Sequence, residues 1–168
     1  MLRKIYRKIL INYYLKKGLF IGRGTRILGR VDFGSEPYLV KIGSGVTITD
    51  GVKFITHDGG RWIFRNDPAF KAKYHFGTIS IDDNVFIGVN SIIMPGVIIG
   101  RNTVVAAGSV VTRKLEANMV YAGVPAKPLY SVAEYRTKML KKSVDIEKID
   151  QMSSKEKKQM LISILWSK

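Results

Sequence analysis

The sequence predicts an all-β fold: a parallel β-helix of hexapeptide repeats, with a short N-terminal helix before it and a C-terminal helical extension after it. Three observations carry this expectation. A β-branched aliphatic residue returns every six positions, at Ile81, Ile87, Ile93, Ile99, Val105 and Val111. Four positions after each comes a small or aliphatic residue: Val85, Ser91, Val97, Thr103, Ser109 and Leu115. Asn or Gly repeatedly holds the fourth place, at Asn84, Asn90, Gly96, Asn102 and Gly108. An α-helix cannot keep a six-residue repeat on one side, because its period is 3.6. Short strands that turn every few residues can, since Gly and Asn accept the positive φ of tight turns. One such coil buries little, but stacked coils share a continuous core.

Taken in order, residues 1–18 read as a basic amphipathic helix. Leu2, Ile5, Tyr6, Ile9, Leu10, Tyr13 and Tyr14 recur at helical spacing, and Arg3, Lys4, Arg7, Lys8, Lys16 and Lys17 supply the polar side. Gly18 is the expected C-cap. Such a helix packs on the end of the domain, lies on a membrane surface or binds nucleic acid. The hexad pattern begins at Ile21, continues through Ile27, and resumes at Ile42, Ile48 and Phe54. The register slips between residues 33 and 42, which marks a small insertion. A longer break, residues 58–78, holds Trp62, Phe64, Pro68, Phe70, Tyr74 and His75 with several basic residues, and reads as a loop thrown out of the coil. The coil ends near Leu115, and the turn-rich run from Ala122 to Pro128 closes it. Ser131 and Glu134 form a capping box, and helix breaks are expected around Ser143 and near Ser153 and Ser154. The organisation expected is a helix over 1–18, a β-helix domain over 19–129 with its excursion at 58–78, and a helical extension over 130–168.

Composition bounds the chemistry. A chain of 168 residues suits one domain with short extras, and a hydrophobic fraction of 46% suffices for a core. The absence of cysteine excludes disulfides, thiolate zinc sites, iron–sulfur ligation and a cysteine nucleophile. No run reaches eighteen uncharged apolar residues, so no membrane span is expected. The opening Met1-Leu2-Arg3-Lys4 superficially resembles a signal peptide, but Lys8, Lys16 and Lys17 interrupt the apolar run and no small-residue cleavage site follows. A cytoplasmic location is expected, with the inner face of the membrane as the variant that the basic helix suggests. The formal charge of +15 attracts polyanions: nucleic acid, anionic lipid, or a phosphorylated cofactor or substrate. No helix-turn-helix, zinc-finger or RNP-like motif is present, so no nucleic-acid partner is expected.

The stretch "IDDNVFIGVNSIIMPGVIIGRNTVVAAGSVVTRKLEANMVYAGVPAKPL", residues 81–129, resembles the hexapeptide-repeat acyltransferases, with the polysaccharide and sugar O-acetyltransferases as the nearest branch. Six hexads in register followed by "AGSVVT" and "AGVPAK" carry the resemblance, which the weaker repeats extend back to about residue 21. It implies a left-handed coil of triangular section, a homotrimer with active sites between subunits, and acetyl-CoA lying along the coil wall as acyl donor, with no metal. The expected activity is transfer of acetyl to a hydroxyl of a sugar acceptor, free or nucleotide- or lipid-linked, in surface polysaccharide or lipopolysaccharide synthesis. The alternatives are a serine- or maltose-type small-molecule acetyltransferase and a non-catalytic β-helix scaffold.

The resemblance also nominates residues. The family's catalytic histidine precedes the long loop, and His57 in "FITHDGG" matches it as general base, at the fourth, turn-like place of its hexad. Asp58 and Asp50 are the candidates to orient it, since no carboxylate matches at the spacing found in serine acetyltransferases. Gly88 matches the glycine beside the acyl site, where backbone can approach the thioester and an N–H can meet the oxyanion. Ala107, Ser109, Thr112 and Arg113 match the cofactor-wall segment, with arginine where lysine is usual, and Lys127 is a second phosphate candidate. Asp58, Trp62 and His75 are the residues expected to meet the acceptor.

Overall fold

The computed structural model describes residues 2–147 and 149–166, and of residues 2–7 the backbone alone. Met1, Lys148, Ser167 and Lys168 thus lie outside the described residues, as do the side chains assigned above to the helix at Leu2, Arg3, Lys4, Ile5, Tyr6 and Arg7. The chain forms two compact units, Met1–Arg136 and Thr137–Lys168.

The first unit is the coil. Its two- and three-residue strands build three parallel sheets, one on each side. One side stacks Phe20–Ile21, Val40–Ile42, Ile79–Ile81 and Ile98–Ile99. The second stacks Arg26–Ile27, Thr47–Ile48, Phe86–Ile87, Val104–Val105 and Met119–Ala122. The third stacks Lys53–Phe54, Ile92–Ile93 and Val110–Val111. The register explains the hexads. Ile81 pairs with Ile99, Ile87 with Val105 and Ile93 with Val111, so three hexads make one coil of a three-sided helix. The first-place residues Ile42, Ile48, Phe54, Ile87, Ile93, Ile99, Val105 and Val111 are all 0% exposed.

The fifth places also face inward, and three of them are polar. Ser91 Oγ donates to the Gly88 carbonyl at 2.8 Å, Thr103 Oγ1 to that of Glu116 at 3.2 Å, and Ser109 Oγ to that of Ala106 at 2.7 Å. Among the described residues no buried polar side-chain atom lacks a partner, as the cost of burying an unpaired hydroxyl requires. The fourth places carry the corners: Asn84, Asn90 and Asn102 have φ of 55°, 57° and 53°, and Gly96 and Gly108 have 81° and 69°. Along one corner the asparagines form a ladder, Asn84 donating to Asn102 and Asn102 to Asn118, each at 2.9 Å.

Helix α1, Leu2–Lys16, covers the open end of the coil. Tyr14 is buried, its ring meeting Phe33 edge-on at 5.1 Å, and Phe33 stacks on Phe54 at 4.9 Å. The helix stops at Gly18, whose φ of +92° lets Leu19 N–H reach back to the Tyr14 carbonyl at 3.1 Å. At the other end, Lys127–Ser131 pairs antiparallel with Met119–Ala122 and ends the parallel stack. Ser131 and Glu134 then form the expected capping box, at 2.7 and 3.1 Å, and open α2, Val132–Lys142. In the second unit, Ser153 caps α3, Ser154–Leu165, in the same way.

Because each first-place residue touches counterparts in both neighbouring coils, Ile93→Ala should destabilise the fold by about 2–5 kcal/mol. Chemical denaturation followed by circular dichroism checks this, and a loss below about 0.5 kcal/mol contradicts the close-packed stack.

Candidate active site

The coil lengthens its 18-residue turn twice, and its last turn is shortened to a spacing of 16, Ile99 bridging to Leu115 and Val105 pairing with Tyr121. In the first turn Ile21 pairs with Ile42 and Ile27 with Ile48, a spacing of 21. The extra residues leave after Phe33 and return at Val40 through the short 3-10 turn Pro37–Leu39. In the second turn Ile42 pairs with Ile81 and Ile48 with Ile87, a spacing of 39, because residues 58–78 are ejected. Phe33 and Phe54 stack on the same side of the coil, so both departures leave at the same corner, one coil apart.

That corner brings together His57 and Glu36. His57 Nδ1 lies 2.9 Å from Glu36 Oε2, which also accepts from Thr56 Oγ1 at 2.6 Å. The Thr56 hydroxyl above all, then Ser35 and His57, hold the Glu36 carboxyl below the ordinary glutamate range, against partial burial that pushes it up. An ionised carboxylate can only accept, so the bond runs from His57 Nδ1–H to Glu36 and leaves Nε2 as the ring nitrogen that the carboxylate does not use. His57 exposes 46% of its side chain and Glu36 only 16%: the imidazole is reachable while its partner is sheltered.

Several sequence expectations change here. His57 is not in a turn. With Asp58 it forms a short strand paired antiparallel to His75–Phe76, and this ribbon is the stem of the excursion. Neither aspartate orients His57. Asp58 Oδ1 accepts from Gly60 N–H at 2.7 Å and starts the excursion's first turn. Asp50 Oδ1 accepts from Arg30 N–H at 2.5 Å and ties two corners together. Glu36 does the orienting, and one signal could have found it: the local coil spacing of 21 residues, added to Glu36, lands on His57.

Asp58 and His75 face each other across the stem and both are exposed. Trp62 is 63% exposed further along the excursion, with the Arg61 guanidinium 5.3 Å from its ring. The same guanidinium lies 3.9 Å over Tyr74; Tyr74 stacks on Phe76 at 6.2 Å, and Phe76 stands 5.8 Å from the His57 ring. The aromatic and basic residues of the excursion thus form a shelf that runs from the imidazole to Arg61.

The expected cofactor residues divide. Ser109 is 0% exposed and spends its hydroxyl on Ala106 and Gly123, so it serves the core. Gly88 N–H donates to the Val105 carbonyl at 2.8 Å, and so it is not free for an oxyanion. A Cβ at Gly88 would lie 2.4 Å from Ala107 N, so the glycine is required by the next coil. Ala107, Thr112, Arg113 and Lys127 are exposed, and among the described residues neither cation has an ion-pair partner. Thr112 and Arg113 follow Val111 at the corner that His57 occupies after Phe54, two coils away in one sheet. At about 4.8 Å per strand, Arg113 is displaced roughly 10 Å along the coil from the histidine. Ala126 N–H donates to the Val110 carbonyl at 2.8 Å, which brings Lys127 to the same side.

Comparison with known proteins agrees with this fold. Residues 78–113 match the family described as hexapeptide repeat of succinyl-transferase. The chain is 46% identical to Protein CapG of Staphylococcus aureus over 137 residues, 80% of this chain and 78% of that protein. It is 28% identical to the galactoside O-acetyltransferase of Escherichia coli over 79% of this chain and 67% of that one. Among solved structures, a maltose O-acetyltransferase from Clostridium difficile superposes with a TM-score of 0.58 at 29% identity, covering 68% of this chain and 59% of the other.

Glu36→Gln is expected to lower kcat about 10²-fold or more, because the carboxamide can present N–H to Nδ1 and favour the wrong tautomer. The KM for the acyl donor should stay near wild type, a split that a general loss of structure would not give. Linkage adds a pH signature. The folded carboxyl titrates below its unfolded value, so its contribution to stability is complete above the ordinary glutamate range and is lost as pH falls through the folded value. Thermal unfolding should show a gap between wild type and Glu36→Gln that is constant near neutrality and closes in acid; a gap that widens in acid contradicts the assignment.

Proposed function

The chain belongs to the hexapeptide-repeat acyltransferases, and from that premise we propose that it transfers acetyl from acetyl-CoA to a hydroxyl of a sugar in surface polysaccharide or lipopolysaccharide synthesis, with His57 as general base. The observation that carries the proposal is the His57–Glu36 pair: an accessible imidazole whose Nδ1 is held by a sheltered carboxylate, 2.9 Å away, at the mouth of the excursion. An acceptor hydroxyl is a poor nucleophile until its proton has somewhere to go. His57 Nε2 takes that proton as the oxygen attacks the thioester carbonyl carbon. The C–S bond then breaks, and the departing thiolate recovers the proton from the imidazolium. Glu36 holds the ring in the productive tautomer and stabilises the transient cation.

The aromatic shelf supports a sugar acceptor. Trp62, Tyr74 and Phe76 are 63%, 65% and 50% exposed, and Phe76 lies against the base. Exposed rings of this kind offer flat apolar faces to the C–H side of a pyranose, and Arg61 among them suits an acceptor with an anionic or nucleotide-linked group. Galactoside and maltose O-acetyltransferases among the relatives point the same way. Arg113 and Lys127 are assigned to the CoA phosphates. A homotrimer, with each excursion beside a neighbour's coil wall, is part of the same reading.

His57→Asn should lower kcat about 10²–10⁴-fold, the usual cost of a lost general base, with acetyl-CoA affinity unchanged by calorimetry. His75→Asn should act chiefly on the acceptor KM. Near-wild-type turnover in a folded His57→Asn protein refutes the base. For the donor site, Arg113→Ala or Lys127→Ala should weaken acetyl-CoA about 5- to 100-fold if the contact is partly desolvated, and should weaken an analogue lacking the ribose 3′-phosphate less. Equal losses remove that phosphate as their partner.

A further inference from the structure

Helix α1 is apolar on more sides than the coil can cover. Tyr14 is buried, and Leu10 and Ile11 pack against the core. Ile9 and Tyr13, one turn apart on another stripe, remain 63% and 49% exposed. The exposed surface continues past the helix end. Phe20 is 55% and Tyr38 63% exposed, and Tyr38 sits beside Gly18, where an added Cβ would come within 2.9 Å of it. Lysines flank these rings: Lys17 Nζ lies 4.7 Å from the Tyr13 ring and Lys41 Nζ 5.5 Å from that of Phe20, with Lys8 and Lys16 exposed on α1.

We propose that the surface built from Ile9, Tyr13, Phe20 and Tyr38 with Lys16, Lys17 and Lys41 docks the protein on an anionic lipid bilayer. Charge decides the occupant. Residues 1–18 carry six cations and no acid in a chain of net charge +15, so a second copy of the same surface is repelled. A nucleic acid would meet the lysines, and a single strand would stack its bases on the rings, but it has no use for the aliphatic Ile9, 63% exposed beside them. A lipid interface takes both: side chains enter the headgroup boundary while lysine ammoniums stay with the phosphates. No helix among the described residues is long and apolar enough to cross a membrane, so the contact is peripheral. The inference stands apart from the catalytic assignment, since none of these residues belongs to the site.

Co-sedimentation of the full chain with phosphatidylcholine vesicles, with and without phosphatidylglycerol, tests it. Binding is expected only to the anionic vesicles, and it should weaken about tenfold or more in a Lys16→Glu, Lys17→Glu, Lys41→Glu variant. An Ile9→Ser, Phe20→Ser variant should also bind about tenfold more weakly, although its charge is unchanged. Both variants alter exposed side chains, and circular dichroism melting should match wild type. Equal binding to neutral and anionic vesicles overturns the proposal. So does wild-type binding by Ile9→Ser, Phe20→Ser together with equal competition by duplex DNA, which would mark a polyanion surface instead. A concentration-dependent change in sedimentation abolished by the same variants would assign the surface to self-association and overturn it as well.

Discussion

Stacking of the first-place aliphatic residues is the constraint from which the rest follows. In the middle of the stack each of these side chains, such as Ile48, Ile87 and Ile93, meets its counterparts one coil above and below and is 0% exposed. The backbone obeys the same register: Gly43 N–H donates to the Ile81 carbonyl, Thr47 to Val85 and Lys53 to Ser91, at 2.8 to 3.0 Å. A residue inserted within a strand would turn every inward side chain outward beyond it. Extra residues can therefore leave only at corners, where no inward position is disturbed. Both lengthened turns do so, and between them the strands resume in phase.

The constraint also assembles the chemistry. Since the insertion and the excursion leave from one corner in adjacent coils, the stack delivers Glu36 to His57 with no long flexible approach. Closing a long loop costs little more than closing a short one, because the entropy grows only with the logarithm of length. The excursion is further tied by its two-rung stem, by the Arg61–Tyr74–Phe76 stack and by Phe64 against Phe70 at 4.6 Å. Its residues are therefore positioned by a rigid scaffold, which suits the acceptor-facing role proposed for it.

The regular parts of this architecture could be read from the sequence because each hexad states its structure locally. The inward aliphatic, the positive-φ Asn or Gly and the inward small residue each reflect a distinct steric demand, and Asn84, Asn90 and Asn102 meet it as expected. Glu36 was hidden for the complementary reason. It lies where the period is interrupted, so the pattern that identifies inward and outward places says nothing about it. Asp50 and Asp58 lie close to His57 in sequence, yet both spend their carboxylates on backbone N–H groups, Asp58 within its own turn and Asp50 on the corner of the neighbouring coil. Gly88 and Ser109 illustrate another limit. A family motif mixes residues needed by the ligand with residues needed by the coil, and only the contacts separate them: Ser109 turns its hydroxyl inward, while Arg113 next to the same motif faces out.

Regular and irregular coils then divide the work that an acyl transfer requires. The base needs a sheltered partner and a route for the acceptor, which a smooth coil wall does not provide. The donor, on the proposed reading, is long and anionic, and needs a cation at a fixed distance from the reacting carbonyl. A stack of strands advances about 4.8 Å per coil, so the placement of Arg113 two coils beyond the His57 corner is set by counting repeats. Moving the cation by one coil would require inserting or deleting a whole turn of 18 residues, whereas the excursion can change in length or composition without disturbing a single stacked pair. On this architecture the donor distance is rigid and the acceptor surface is free to vary. That separation gives a physical reason why one coil can serve acceptors as different as the galactoside and maltose named for its relatives.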